Sequence, residues 1–169
     1  MITNFYMNQF LETFNRVVEN NRSILETNQV ISFVGWWYNS AVLKLQKIGW
    51  SSPALNENPI HSGIFFSIWI GEKDVAKSIF NYNIHALKLR SLNGYAIKSR
   101  EFADDFRSVF AIDQHSWKNV SVSHGPQTLM QGYMPLIQEN FEIDVDRLVK
   151  KFIPLCITID KLLELRKKA

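Results

Sequence analysis

A chain of 169 residues with 46% hydrophobic and 21% charged residues is long enough to bury a full core without disulfides or a structural metal, and too apolar for wholesale disorder. A formal charge of +3 and a pI near 9.0 tilt it toward anionic partners but fall short of the basic footprint of a nucleic-acid-binding protein. A single cysteine, Cys156, excludes an intramolecular disulfide, and the four scattered histidines, His61, His85, His115 and His124, offer no zinc-type spacing, so no metal and no cofactor is expected.

The N-terminal stretch MITNFYMNQFLETF lacks the basic start, long apolar run and small-residue cleavage site of a secretory signal. No segment approaches about 18 uninterrupted apolar residues, so no membrane span is expected and the cytoplasm is the expected location.

Thr3 can cap a first helix in which Met7, Phe10, Leu11, Phe14, Val17 and Val18 form one apolar stripe, ending near Asn20-Asn21. From Thr27 or Asn28 the spacing of Val30, Val34, Trp37, Ala41, Leu45 and Ile48 predicts a second helix that stops at Gly49. The β-branched and aromatic content of Val30 to Trp37 also fits a strand. If Trp36 and Trp37 lie on a helix they point about 100° apart, so one of them meets a second surface: the far side of the sheet, a dimer partner or a pocket. Ser51 to Ser62, with two prolines, reads as a loop.

Ile64 to Ile70 reads as a strand, Gly71-Glu72-Lys73-Asp74 as a turn, and about Lys77 to Leu89 as the next strand. In that second strand Phe80, Tyr82 and Ile84 share one parity and Leu87 and Leu89 the other, which predicts a bulge near His85-Ala86. Ser99 is placed to cap a short helix to Phe110. Val120 to Ser123 and Gln127 to Tyr133 resemble a second hairpin. Asp144 is placed to cap a last helix striped by Leu148, Phe152, Leu155, Ile159 and Leu162, with Pro154 expected to kink or interrupt it. The expected fold is a single α+β domain over residues 1–169: an antiparallel sheet of about four strands, helices mainly on one face, in the order α-α-β-β-α-β-β-α.

Nucleotide-binding glycine loops, HExxH, GxSxG and CxxC motifs are all missing. The densest polar pattern is Asn81, Asn83, His85, Lys88 and Arg90, which the predicted bulge places on the face opposite the core. Amides can donate and accept, an imidazole can move protons near neutral pH, and a guanidinium can hold a carboxylate or phosphate with two parallel bonds. The alternative is an ordinary solvated strand face. Arg100, Glu101, Asp104, Asp105 and Arg107 offer carboxylates at helical spacing, and His124 sits at a hairpin tip between Ser123 and Gly125. Both patterns are better explained by salt-bridged or solvated surface, and Cys156 by an inert core thiol.

Three functions compete. The first is a binding module that holds an anionic small molecule or a partner on the polar sheet face, with a homodimer as one such partner. The second is a small hydrolase- or transferase-type enzyme using His85 as acid or base with Arg90 stabilising charge. The third is a weak nucleic-acid-binding module in which an aromatic such as Tyr82 stacks on bases. On the first reading, protonation of His85 should tighten anion binding as pH falls through about 6.5.

Overall fold

The computed structural model describes residues 2–52 and 60–169. Among these residues, five α-helices and five strands follow in the order α1 (Ile2–Asn20), α2 (Arg22–Thr27), β1 (Val30–Trp37), β2 (Ser40–Lys47), β3 (Gly63–Gly71), α3 (Glu72–Ala76), β4 (Ile79–Leu87), α4 (Ser99–Phe110), β5 (Thr128–Pro135) and α5 (Phe141–Glu164). The strands form one antiparallel sheet with neighbours in chain order, β1-β2-β3-β4-β5. The fold is therefore α+β, with five strands where about four were expected. Much of the expected loop 51–62 lies outside the described residues.

Strand alternation gives the sheet two unlike faces. Ala41, Leu43, Leu45, Ile64, Phe66, Ile68, Ile70, Phe80, Tyr82, Ile84 and Ala86 point to one face and are essentially inaccessible. Helices α1, α4 and α5 cover this face and share its core. The contact is largely aromatic. Phe66 stacks on Phe152 of α5 at 4.8 Å, and Phe141 at the start of α5 meets Phe80 and Phe10 edge-on at 5.0 and 5.1 Å. The α5 stripe Leu148, Phe152, Leu155, Ile159 and Leu162 is buried as its spacing predicts, and Cys156 is buried beside it with its thiol pushed up to about 12 by desolvation. Helix α5 begins at Phe141, ahead of Asp144, and runs through Pro154 without a break.

The region read as a second helix is the hairpin β1-β2. Trp37 pairs with Ser40, and the two turn residues Tyr38 and Asn39 both have left-handed φ, +48° and +64°, the requirement of a tight hairpin turn matched to sheet twist. The apolar residues that mimic a helical stripe alternate on β2 instead, with Ala41, Leu43 and Leu45 inward and Val42, Lys44 and Gln46 outward. Trp36 and Trp37 consequently point to opposite faces. Short helix α3 replaces the expected turn, with its first turn fixed by Gly71 N–H donating to Asp74 Oδ2 at 2.8 Å.

Strand β4 itself carries no bulge. Its ladder with β3 is regular from Ile64↔Ala86 to Trp69↔Asn81, so Leu87 lies on the open face with His85. The chain then leaves the sheet: Lys88 turns into left-handed backbone at φ +56°, and Leu89 is buried from a short 3-10 turn. That exit, not a bulge, produces the apparent change of parity. An irregularity does occur at the predicted level, on the partner strand. Ile84 pairs with Met130 and His85 with Thr128, leaving Leu129 of β5 as the extra residue. Val120 to Ser123 forms no strand; Ser121 alone bridges Gln131.

Candidate functional site

The face of the sheet turned away from the helices holds a cavity of about 360 Å³. Antiparallel register builds its floor. On this face Phe33 pairs with Lys44, Lys44 with Ser67, Ser67 with Asn83, and Asn83 with Gln131, so one rung crossing all five strands carries four polar side chains side by side. The adjoining rung places Phe65 opposite His85 and His85 opposite Thr128. Trp37, Val42, Phe65, Trp69 and Leu87 form apolar walls, and Tyr38 and His61 complete the rim. The His61 ring lies nearly parallel to Trp37 with centroids 6.3 Å apart.

Lys44 is almost fully buried, at 4% exposure. Its Nζ donates to the Ile60 carbonyl at 2.7 Å and sits 3.9 Å from the Trp37 ring centroid and 5.3 Å from that of Phe65. The negative ring faces attract the ammonium, yet desolvation dominates and lowers its pKa to about 8. Among the described residues no carboxylate pairs with it, and no Asp, Glu, Arg or second Lys lines the cavity.

Asn83 Nδ2 donates to Gln131 Oε1 at 3.3 Å and lies 3.1 Å from His85 Nε2. This network assigns Nε2 as the acceptor and places the imidazole proton on Nδ1. Burial lowers the His85 pKa below the ordinary imidazole range. Interaction with the Gln127 backbone opposes that shift and the charge of Lys44 adds to it. The interaction with Gln127 is not a well-formed hydrogen bond, for Nδ1 is buried without a partner of proper geometry. His85 is therefore neutral at pH 7, and charging it near 6.5 is not available as a way to tighten anion binding.

Two oxygens on the rung are left over. Ser67 Oγ and Asn83 Oδ1 are buried with no hydrogen-bond partner, in residues only 4% and 2% exposed. An unpaired buried polar group costs about 1–3 kcal/mol. Here two such groups adjoin on neighbouring strands beneath an aromatic-walled cavity.

Of the five side chains singled out from sequence, Asn83 and His85 line this cavity and touch. Asn81 shares the face, one rung away between Trp69 and Tyr133, without lining the cavity. Lys88 and Arg90 lie beyond the end of β4, both exposed, Arg90 within the 3-10 turn Leu89–Ser91. They are not on the strand face, and the pairing of Arg90 with His85 is not formed. The lysine that does stand beside His85 is Lys44. Sequence reading missed it because it assigned residues 30–48 to a helix, although alternation of Val42, Lys44 and Gln46 against Ala41, Leu43 and Leu45 was there to be read.

Of the other polar patterns, Asp105 and Arg107 tie the scaffold together. Asp105 pairs with Arg166. Arg107 donates to the carbonyls of Leu129, His124, Gly125 and Thr128 at 2.8–3.2 Å, which ties α4 to the chain entering β5 and fixes the irregular pairing opposite His85. Among the described residues no three His, Cys, Asp or Glu side chains come together to hold a metal ion, and no helix is long and apolar enough to cross a membrane. No family model matches this chain, and neither the curated proteins nor the solved structures yield one detectably similar to it.

Proposed function

We propose that the protein is a small-molecule-binding module whose ligand is a compact amphipathic anion, seated in the cavity on the open sheet face. The observation that carries the reading is the rung Lys44-Ser67-Asn83-Gln131, with two buried oxygens lacking partners beneath aromatic walls. An apolar, preferably flat body suits Trp37, Phe65 and Trp69. An anionic or strongly accepting head suits the Lys44 ammonium, and a ligand hydroxyl or N–H suits Asn83 Oδ1. An apolar cavity with a few convergent polar groups is the usual form of a ligand site. An enzyme relying on Arg90 is not supported, because Arg90 stands outside the cavity.

The test is a panel of small aromatic carboxylates that also carry a hydroxyl or amino group, titrated against the protein and followed by tryptophan fluorescence and by NMR shifts of Asn83 and Trp37. Saturable binding that weakens about ten-fold in Asn83→Leu is expected, the loss of one charged or buried hydrogen bond. Failure of every aromatic acid to shift these resonances would overturn the reading.

A further inference from the structure

We propose that Lys44 forms an imine with aldehyde-bearing ligands, so that the cavity captures small aromatic aldehydes covalently as well as holding anions. The inference rests on the binding reading above and deepens it. Its basis is placement. Lys44 is a buried lysine inside a ligand-sized cavity, with no carboxylate partner among the described residues and a single backbone acceptor at Ile60. Lysines that serve as buried structural cations are normally paired with a carboxylate. A lysine kept among aromatic rings, with no acid beside it among the described residues, holds a larger share of neutral amine, the nucleophilic form. Its lowered pKa is consistent with that. Ser67 is directly opposite Lys44 across β2 and β3, and its hydroxyl has no partner, so it can donate to the carbonyl oxygen of a ligand lying between them.

The chemistry closes without a co-reactant. The lone pair of neutral Lys44 Nζ forms a bond to the carbonyl carbon, and the C=O π pair moves to oxygen. Nitrogen gives up its two protons over two steps, and both end on that oxygen, which departs as water. A C=N bond replaces C=O, with no change of oxidation level. Neutral His85, which touches Asn83 on the same floor, can carry a proton between the two atoms.

The experiment uses the wild-type chain, benzaldehyde as probe and cyanoborohydride to reduce any imine to a stable amine, with each lysine's labelling followed by peptide mass spectrometry. Lys44 is expected to label at least about ten-fold faster than any exposed lysine, because more of it is neutral at pH 7.5. Benzoate should protect it, and Ser67→Ala should slow it. Labelling that follows exposure, with Lys44 untouched, overturns the proposal. If benzoate still binds saturably in that case, the binding function stands alone; if it does not, both readings fall.

Discussion

Lys44 Nζ stands 3.9 Å from the centroid of the Trp37 ring, and these two residues belong to neighbouring strands of one hairpin. The ring partly replaces the water that Lys44 loses, but not enough to restore its ordinary pKa of 10.5, which falls to about 8.

The sign of the consequence follows from proton counting. Between pH 8 and 10.5 the unfolded chain holds a proton on Lys44 that the folded chain has released, so stability gains from Lys44 as pH rises through that window. Relative to Lys44→Met, wild type should gain up to about 3 kcal/mol across it. Tyr82 and Cys156, both shifted upward by burial, act in the opposite sense but are common to both proteins, and burial moves His85 downward, away from the window. Urea denaturation of the pair at several pH values is the measurement. Parallel stability curves would mean that Lys44 is solvated.

Ser67→Ala should separate stability from function. Removing a buried hydroxyl that has no partner should leave the ligand-free protein unchanged or more stable by about 0.5–1 kcal/mol, while weakening binding of aromatic acids. Arg90→Ala and Lys88→Ala should alter neither by more than about 0.5 kcal/mol, since both side chains are exposed beyond β4. Thermal melts and titrations of the three variants decide it, and a loss of binding in Arg90→Ala would return that residue to the site.

The helical layer is fastened to the sheet by Phe66 and Phe152, stacked 4.8 Å apart with planes inclined by 11°. Phe66→Ala should cost about 3–5 kcal/mol, and a double-mutant cycle with Phe152→Leu should show a coupling of about 0.5–1.5 kcal/mol. Additive losses in chemical denaturation would place the two rings in separate parts of the core.

Gly132 allows β5 to approach Tyr82: a Cβ there would lie 2.4 Å from the phenol oxygen and 2.5 Å from its ring carbon. Gly132→Ala must displace a buried ring that donates to the Lys118 carbonyl, and should destabilise by about 1–3 kcal/mol. A melting temperature within a degree of wild type would show that the ring moves freely.

The two helix stripes with unmixed periodicity, Met7 to Val17 and Leu148 to Leu162, were legible because burial on one side of a helix repeats every three to four residues. The strand Ile64 to Ile70 was legible for the same kind of reason. The hairpin β1-β2 was obscured by coincidence: apolar residues on both sides of β2 leave a subset at helical spacing, and its turn residues, Tyr38-Asn39, include no glycine. The polar face of β4 could be read from Asn81, Asn83 and His85, whereas its continuation to Lys88 and Arg90 could not, because the left-handed turn at Lys88 leaves no mark in the alternation. The polar rung was out of reach in principle. Lys44, Ser67, Asn83 and Gln131 are far apart in the chain, and only strand register makes them neighbours.

That each strand pairs with its successor has a kinetic meaning. The β1-β2 and β3-β4 connections are two and seven residues long and the β2-β3 connection fifteen, so the sheet can zip from the β1-β2 hairpin outward, with a loop-entropy cost that grows only slowly with length. A junction between the two ends of the chain is α1 on α5, where Phe10 meets Phe141 and Arg16 meets Glu142. Docking of the terminal helices is thus expected late on the folding route, after the cavity floor has been assembled. Phe10→Leu should accelerate unfolding and leave the refolding rate nearly unchanged, and a slowed refolding limb would place the helical clasp in the nucleus instead.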